Sequence, residues 1–205
     1  MHISDGILAL PVATGSALAA AAGVWVGLKH LDPDEMPKVG MLAAVFFIAS
    51  LIHVPAGFSN THLLMNGLAG LLLGWGAFPA ICAALLLQTI LFHYGGLVSL
   101  GANTLNASLP AVITYYLFGP WIRTTHSLKM IFVLGACAGA LSVLGSGLMM
   151  SLTLLASGAN FAVPAAAVFA THLPLLLAEA FVTGAAVRFL AQVRPETLFG
   201  RSLAS

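Results

Sequence analysis

Long apolar runs alternate with short polar interruptions along the whole chain. Seven runs stand out: Ile7–Leu28, Val39–Val54, His62–Leu73, Phe78–His93, Thr104–Gly119, Met130–Leu155 and Pro164–Leu190. A membrane-spanning helix needs about 20 apolar residues. The pattern therefore predicts an all-α integral membrane protein of about seven transmembrane helices, with residues 1–205 forming one transmembrane domain. The third and fourth runs are short, and Gly74-Trp75-Gly76 barely separates them, which predicts a tight helical hairpin. Between the first two runs lies the one strongly charged stretch, Lys29 to Lys38. Its two prolines and three acids are expected to break any helix and to lie in water.

Composition sharpens this picture. The chain is 60% hydrophobic and 6% charged, with a mean hydropathy of +1.04, whereas a soluble domain carries about 25% charged residues. A formal net charge of +1 lacks the basic footprint of a nucleic-acid partner, so lipid is the expected surroundings. Counting alternate crossings puts Lys29, Lys38, Arg123, Lys129, Arg188, Arg194 and Arg201 on one side. By the positive-inside rule that side is the cytoplasm, so the amino terminus is expected outside and the carboxyl terminus inside. Cys82 and Cys137 sit inside apolar runs and read as packing residues rather than a disulfide. Residues 1–6 carry no Lys or Arg, so they are not expected to lead a cleaved signal peptide.

The same crossings sort the histidines. His30 and His126 fall with the basic residues, while His2, His53, His62, His93 and His172 fall at or near the opposite face. Imidazoles gathered in a chain this poor in polar groups point to a borderline transition metal. Met1-His2 adds a second signal. An amine, a backbone amide nitrogen and an imidazole on adjacent atoms make a compact chelator, suited to metals that favour square-planar nitrogen. Asp5-Gly6 is expected to turn the chain so that the amino-terminal loop inserts into the bundle; a simple helix N-cap by Ser4 or Asp5 is the plainer reading. Two further stretches are rich in turn and polar residues. One is His53 to His62, after which Thr61-His62 is expected to open a helix; the other runs from Gly95-Gly96 through Asn103 to Asn106 and can hold a re-entrant loop.

These stretches carry a family resemblance. MHISDGIL, HVPAGFSNTHLLMNGLAGLLLG and GGLVSLGANTLN resemble, in order and over nearly the whole length, the CbiM/NikM family of substrate-specific components of energy-coupling-factor cobalt and nickel transporters. The resemblance implies that nickel(II) or cobalt(II) is the transported substrate. It implies four nitrogen ligands: the Met1 amine, the backbone and imidazole nitrogens of His2, and an imidazole nitrogen of His62. It also implies a transmembrane scaffold subunit, cytosolic ATP-binding subunits and a small accessory membrane subunit as partners, in a bacterial or archaeal cytoplasmic membrane. The ligand chemistry is self-consistent. The amine–amide pair closes a five-membered chelate and the amide–imidazole pair a six-membered one, provided that the amide loses its proton. His2 is bulky enough in second position that Met1 is expected to persist.

Around that ligand set, Asp5, Thr61, Asn103 and Asn106 are expected to hold the ligands in place by hydrogen bonds; for the asparagines, helix-to-helix bonding is the plainer alternative. His53, His93 and His172 are candidate supporting or relay groups. Glu179 lies halfway along the last apolar run, where an unpaired carboxylate costs at least about 2.5–3.5 kcal/mol. It is expected to face the interior, either in a structural hydrogen bond to another helix or in metal passage and coupling. Small residues at Ala13, Ala17 and Ala21 let helices approach closely, within the bundle or against a scaffold subunit. No G-x-x-x-x-G-K-[ST] sequence is present, so the chain is expected to be no enzyme and to borrow its energy. Two rival classes use other residues. Axial haem ligation by His53, His93 or His172 would make a membrane redox protein, and Ser146 in Leu144-Gly145-Ser146-Gly147 would have to serve an intramembrane hydrolase without a G-x-S-x-G turn.

Overall fold

The computed structural model describes residues 2–56 and 59–199. Seven helices answer the seven apolar runs: α1 (Leu10–His30), α2 (Met36–Ala49), α3 (Asn66–Leu73), α4 (Ala77–Phe92), α5 (Leu100–Thr124), α6 (Leu128–Ser157) and α7 (Ala162–Val193). A short α8 (Glu196–Phe199) follows. Among the described residues, four helical stretches are long and apolar enough to cross a membrane: Leu10–His30, Asn66–Phe92, Leu128–Ser157 and Ala159–Val193. The protein is a multi-pass membrane protein.

The stretch Asn66–Phe92 doubles back on itself. Asn66 bonds the Ala107 carbonyl, Gly70 packs on Ala111 and Gly74 on Tyr115, so α3 runs parallel to α5. α4 joins α5 through the short connection 93–99 and packs against it, so α4 runs the other way. The turn between them is Gly74–Gly76, with Gly74 at φ +55°. Trp75 Nε1 staples it to α5 by donating to the Tyr116 hydroxyl at 3.0 Å. The hairpin expected from the sequence is therefore present.

The charged stretch behaves differently from expectation. Pro33–Glu35 forms a single 3-10 turn, and α2 begins at once at Met36. Pro37 sits in its first turn, where a missing N–H costs nothing, so this proline starts a helix rather than breaking one. Segment three departs further. His62 does not open a helix; it ends a β-strand. Two strands, β1 (His53–Ala56) and β2 (Ser59–His62), pair antiparallel with His53 opposite His62. Leu63–Met65 follow in non-helical conformation before α3 starts. At 8 residues α3 is about 12 Å long, less than half a hydrocarbon core of about 30 Å. The remaining depth is covered by extended chain whose polar backbone must find partners inside the protein.

The Gly/Asn stretch is helical rather than re-entrant from Leu100 onward, which puts Asn103 and Asn106 on α5, one turn apart. At one end of the bundle, His30, Lys38, the Gly74–Gly76 turn, Arg123 and Glu196 line a cavity of about 450 Å³. Phe132 near the start of α6 lies with Arg188 near the end of α7. The described basic residues thus share one end, and the other end carries residues 2–9, the β-hairpin and the loop 93–99.

Candidate metal centre

The amino-terminal segment forms a hook over the non-basic end. Gly6 takes φ +85°, turning the chain before α1 begins at Leu10. Ala9, without a side-chain cap, precedes α1, so neither Ser4 nor Asp5 is its N-cap. Asp5 instead serves another helix: its Oδ1 accepts from the Ser99 N–H at 2.9 Å, immediately before α5. Desolvation raises the Asp5 pKa, but bonds from Ser99, Val98 and Leu97 outweigh it and hold the carboxyl below its ordinary value. A Cβ on Gly96 would overlap the Asp5 carboxylate, so this close fit requires glycine.

One turn further along α5, Asn103 takes hold of the hook. Its Oδ1 accepts from the Ile3 N–H at 2.9 Å and its Nδ2 donates to the Ile3 carbonyl at 3.0 Å. Ile3 is 2% exposed and packs on Met150, Leu154 and Ala165 from α6 and α7. Polar clamp and apolar plug together fix the backbone next to His2. The chain turns at Asp5-Gly6, with Asp5 bonded to Ser99 and Asn103 bonded to Ile3.

The His2 ring stacks on the His62 ring at 5.1 Å between centroids and on Tyr94 at 5.9 Å. Its Nε2 is enclosed and meets no hydrogen-bond partner among the described residues. Burial above all, then the amino-terminal charge and His62, push the His2 pKa down to about 2, so the imidazole is neutral and keeps a lone pair for a metal. His62 is buried, and its Nδ1 donates to the Leu63 carbonyl at 3.0 Å, which leaves the lone pair on Nε2. Two imidazoles from opposite ends of the first 62 residues thus meet face to face.

The other expected residues fall elsewhere. Met1 lies outside the described residues, and of His53 and Thr61 the backbone alone is described, in the paired strands. Asn106 does not bond the hook: its Oδ1 accepts from the Thr153 hydroxyl at 3.0 Å, tying α5 to α6. His93 is exposed at the end of α4, in left-handed conformation at φ +55°. His172 is buried in α7 with its Nδ1 bonded to the Val168 carbonyl at 2.8 Å. Glu179, with 0% exposure, accepts from the backbone N–H of Leu64 and from that of Met65 at 2.9 Å, so it ties α7 to the non-helical segment ahead of α3 rather than to another helix. Ser146 is likewise structural, accepting from Asn66 Nδ2 at 2.8 Å.

Sequence reasoning missed Tyr94 and Asn66. Tyr94 was marked only by being an aromatic placed directly before Gly95-Gly96. Asn66 was marked by being an amide at the head of an otherwise apolar run.

The family model described as the cobalt uptake substrate-specific transmembrane region matches residues 2–197. The chain belongs to this CbiM family. A Haemophilus influenzae protein named for metal transport is 37% identical over 199 residues, covering 97% of each chain. The cobalt transport protein CbiM of Sorangium cellulosum is 31% identical over 97% of this chain and 94% of its own. The fused nickel transport protein NikMN of Rhodobacter capsulatus is 34% identical, and this chain spans 65% of its length. A crystal structure of a truncated transition metal transporter superposes with a TM-score of 0.74 at 26% identity, covering 94% of this chain and 99% of that one. The protein is a membrane component of cobalt or nickel transport, of the CbiM/NikM type. Family membership sets aside the haem and hydrolase readings.

Proposed function

We propose that this chain is the metal-capturing subunit of an ATP-driven importer for Ni²⁺ or Co²⁺. The ion is held by the Met1 amine, the backbone and imidazole nitrogens of His2, and the imidazole of His62. The observation that carries the reading is the stacking of His2 on His62 beneath a hook clamped by Asn103. A buried pair of imidazoles suits a borderline metal and offers nothing to Mg²⁺, which prefers oxygen. Metal enters from the non-basic face, which is the outer one, and leaves toward the basic, cytoplasmic end. Energy comes from cytosolic ATP-binding subunits, transmitted by a scaffold subunit, with a small accessory membrane subunit assisting. Relatives named as fused NikMN and CbiMQ proteins support membrane partners of this kind, since in them the matching region is joined to further sequence.

The test is metal content after purification in detergent with a native amino terminus, beside a form carrying one extra amino-terminal residue and a His62→Ala form. Near-stoichiometric nickel or cobalt in the native protein, lost in both others, is the expected result. Metal retained by the extended form would remove the terminus from the ligand set. No metal in any form, with both ions offered, would overturn the capture reading.

A further inference from the structure

The carboxylate of Glu179 and the ring of His62 lie on opposite sides of one peptide group. In the trans peptide between Leu63 and Leu64, the N–H and the C=O point in opposite directions. The Leu64 N–H donates to Glu179 Oε1, and the Leu63 carbonyl of the same unit accepts from His62 Nδ1 at 3.0 Å. The next N–H, that of Met65, also donates to Glu179, at 2.9 Å to Oε1 and 3.2 Å to Oε2. Glu179 is fully enclosed, and a buried carboxylate persists only where hydrogen bonds satisfy it. Here the donors are the N–H groups just ahead of α3, where the helix dipole also favours negative charge.

We infer that Glu179 is a positioning residue for His62, acting through the Leu63–Leu64 peptide. Hydrogen bonds in a chain polarise one another, so each strengthens the next. Drawing on the N–H of this peptide makes its carbonyl a better acceptor for His62 Nδ1–H. The imidazole is thereby locked in one tautomer, with Nε2 as the lone-pair nitrogen, and in one ring orientation. Metal-bound histidines are commonly held by a carboxylate directly on the second ring nitrogen. Here the carboxylate does the same through one intervening peptide. The arrangement explains why Leu63–Met65 are held out of the helix, with Met65 at φ +55°. A helix over these residues would turn both donors away from Glu179 and the carbonyl away from the ring.

This inference rests on the proposed role of His62 as a ligand, and its test separates the two. The first readout is the ¹⁵N chemical-shift pair of the His62 ring in metal-free protein, which reports the tautomer without any metal. The second is Ni²⁺ affinity by titration calorimetry. Wild type is expected in the Nδ1–H form. Glu179→Leu is expected to populate the other tautomer and to bind Ni²⁺ about 10–100-fold more weakly, as loss of such a partner does at other metal sites. Glu179→Gln keeps an acceptor oxygen and covers the case in which the Leu form does not fold; it is expected to be intermediate in both readouts. A Gln form identical to wild type in tautomer and affinity would overturn the inference, as would a folded Leu form with an unchanged tautomer. If wild type and His62→Ala bind Ni²⁺ alike, the capture reading fails, and the tautomer comparison still decides the role of Glu179.

Discussion

Asn103 treats Ile3 as a neighbouring β-strand would, accepting from its N–H at 2.9 Å and donating to its carbonyl at 3.0 Å. This pairing of one side chain with one residue's backbone fixes both position and direction of the amino-terminal hook. Asn103→Asp keeps the acceptor and loses the donor, facing a carboxylate toward the Ile3 carbonyl. Asn103→Leu loses both and leaves the Ile3 backbone groups without partners in a buried place. A buried group stranded in this way costs about 1–3 kcal/mol. Both variants are expected to lower the thermal midpoint and to weaken Ni²⁺ binding at least about tenfold. Calorimetric titration measures the second effect. Unchanged affinity in a folded Asn103→Leu protein would show that the hook needs no clamp.

Asp5 gives the hook a pH dependence. Its carboxyl is held below the ordinary value by the N–H groups ahead of α5. The folded-state pKa is lower than the unfolded one, so the stabilisation is fully present above the unfolded value, about 4. It is lost as pH falls through the folded value. Asp5→Asn removes the charge at every pH. The gap in thermal midpoint between wild type and Asp5→Asn, in metal-free protein, should be constant from pH 7 to about 5 and close below about 4. A gap that does not change with pH would mean that the carboxylate contributes no charge-dependent anchoring.

Much of this was legible in the chain because apolar length alone dictates spans. The runs at Phe78–His93, Met130–Leu155 and Pro164–Leu190 differ from α4, α6 and α7 by at most three residues at either end. Met1-His2, Asp5-Gly6 and the Gly/Asn stretch marked the hook and its clamp because such residues are costly in lipid without partners. The break at Leu63–Met65 was hidden for a physical reason. Leu-Leu-Met is a good helix sequence, and its non-helical backbone bonds to Glu179, more than 110 positions away. Asn106 misled for a related reason. It lies on the same face of α5 as Asn103 but a turn further on, level with Thr153 of α6 rather than with the hook.

Asn66 ties three helices together. From the head of α3 its Nδ2 donates to the Ala107 carbonyl of α5 at 3.1 Å and to Ser146 of α6 at 2.8 Å. Asn66→Leu is expected to cost about 1–3 kcal/mol, because buried acceptors lose their donor. Ser146→Ala removes one net hydrogen bond and is expected to cost about 1 kcal/mol, with metal binding retained. Because the two residues share a bond, the double variant should be less unstable than the sum of the singles. Thermal unfolding of the four proteins in one detergent measures this. Strict additivity would mean that the pair does not interact.

Gly139 sets how closely α6 approaches α7 and α3 at the depth of Glu179. A Cβ there would stand 2.6 Å from the Glu179 carbonyl oxygen and 2.8 Å from Thr183 Cβ. On the facing side, a Cβ on Gly67 of α3 would stand 2.8 Å from Gly139 Cα. Both obstacles to a Cβ on Gly139 are backbone or branched side chain of α7, so nothing swings aside. Gly139→Ala must therefore push α7 outward, and overpacking of this kind costs about 1–3 kcal/mol. It should also carry the Glu179 carboxylate away from Leu64 and Met65, loosening His62 and weakening Ni²⁺ binding without touching a ligand. Gly15→Ala in α1 is the control: a Cβ there meets nothing within 4 Å, and alanine is the better helix former, so stability and metal affinity should hold or rise slightly. A Gly139→Ala protein as stable and as tight for Ni²⁺ as Gly15→Ala would show that α7 is not held against α6 at this contact.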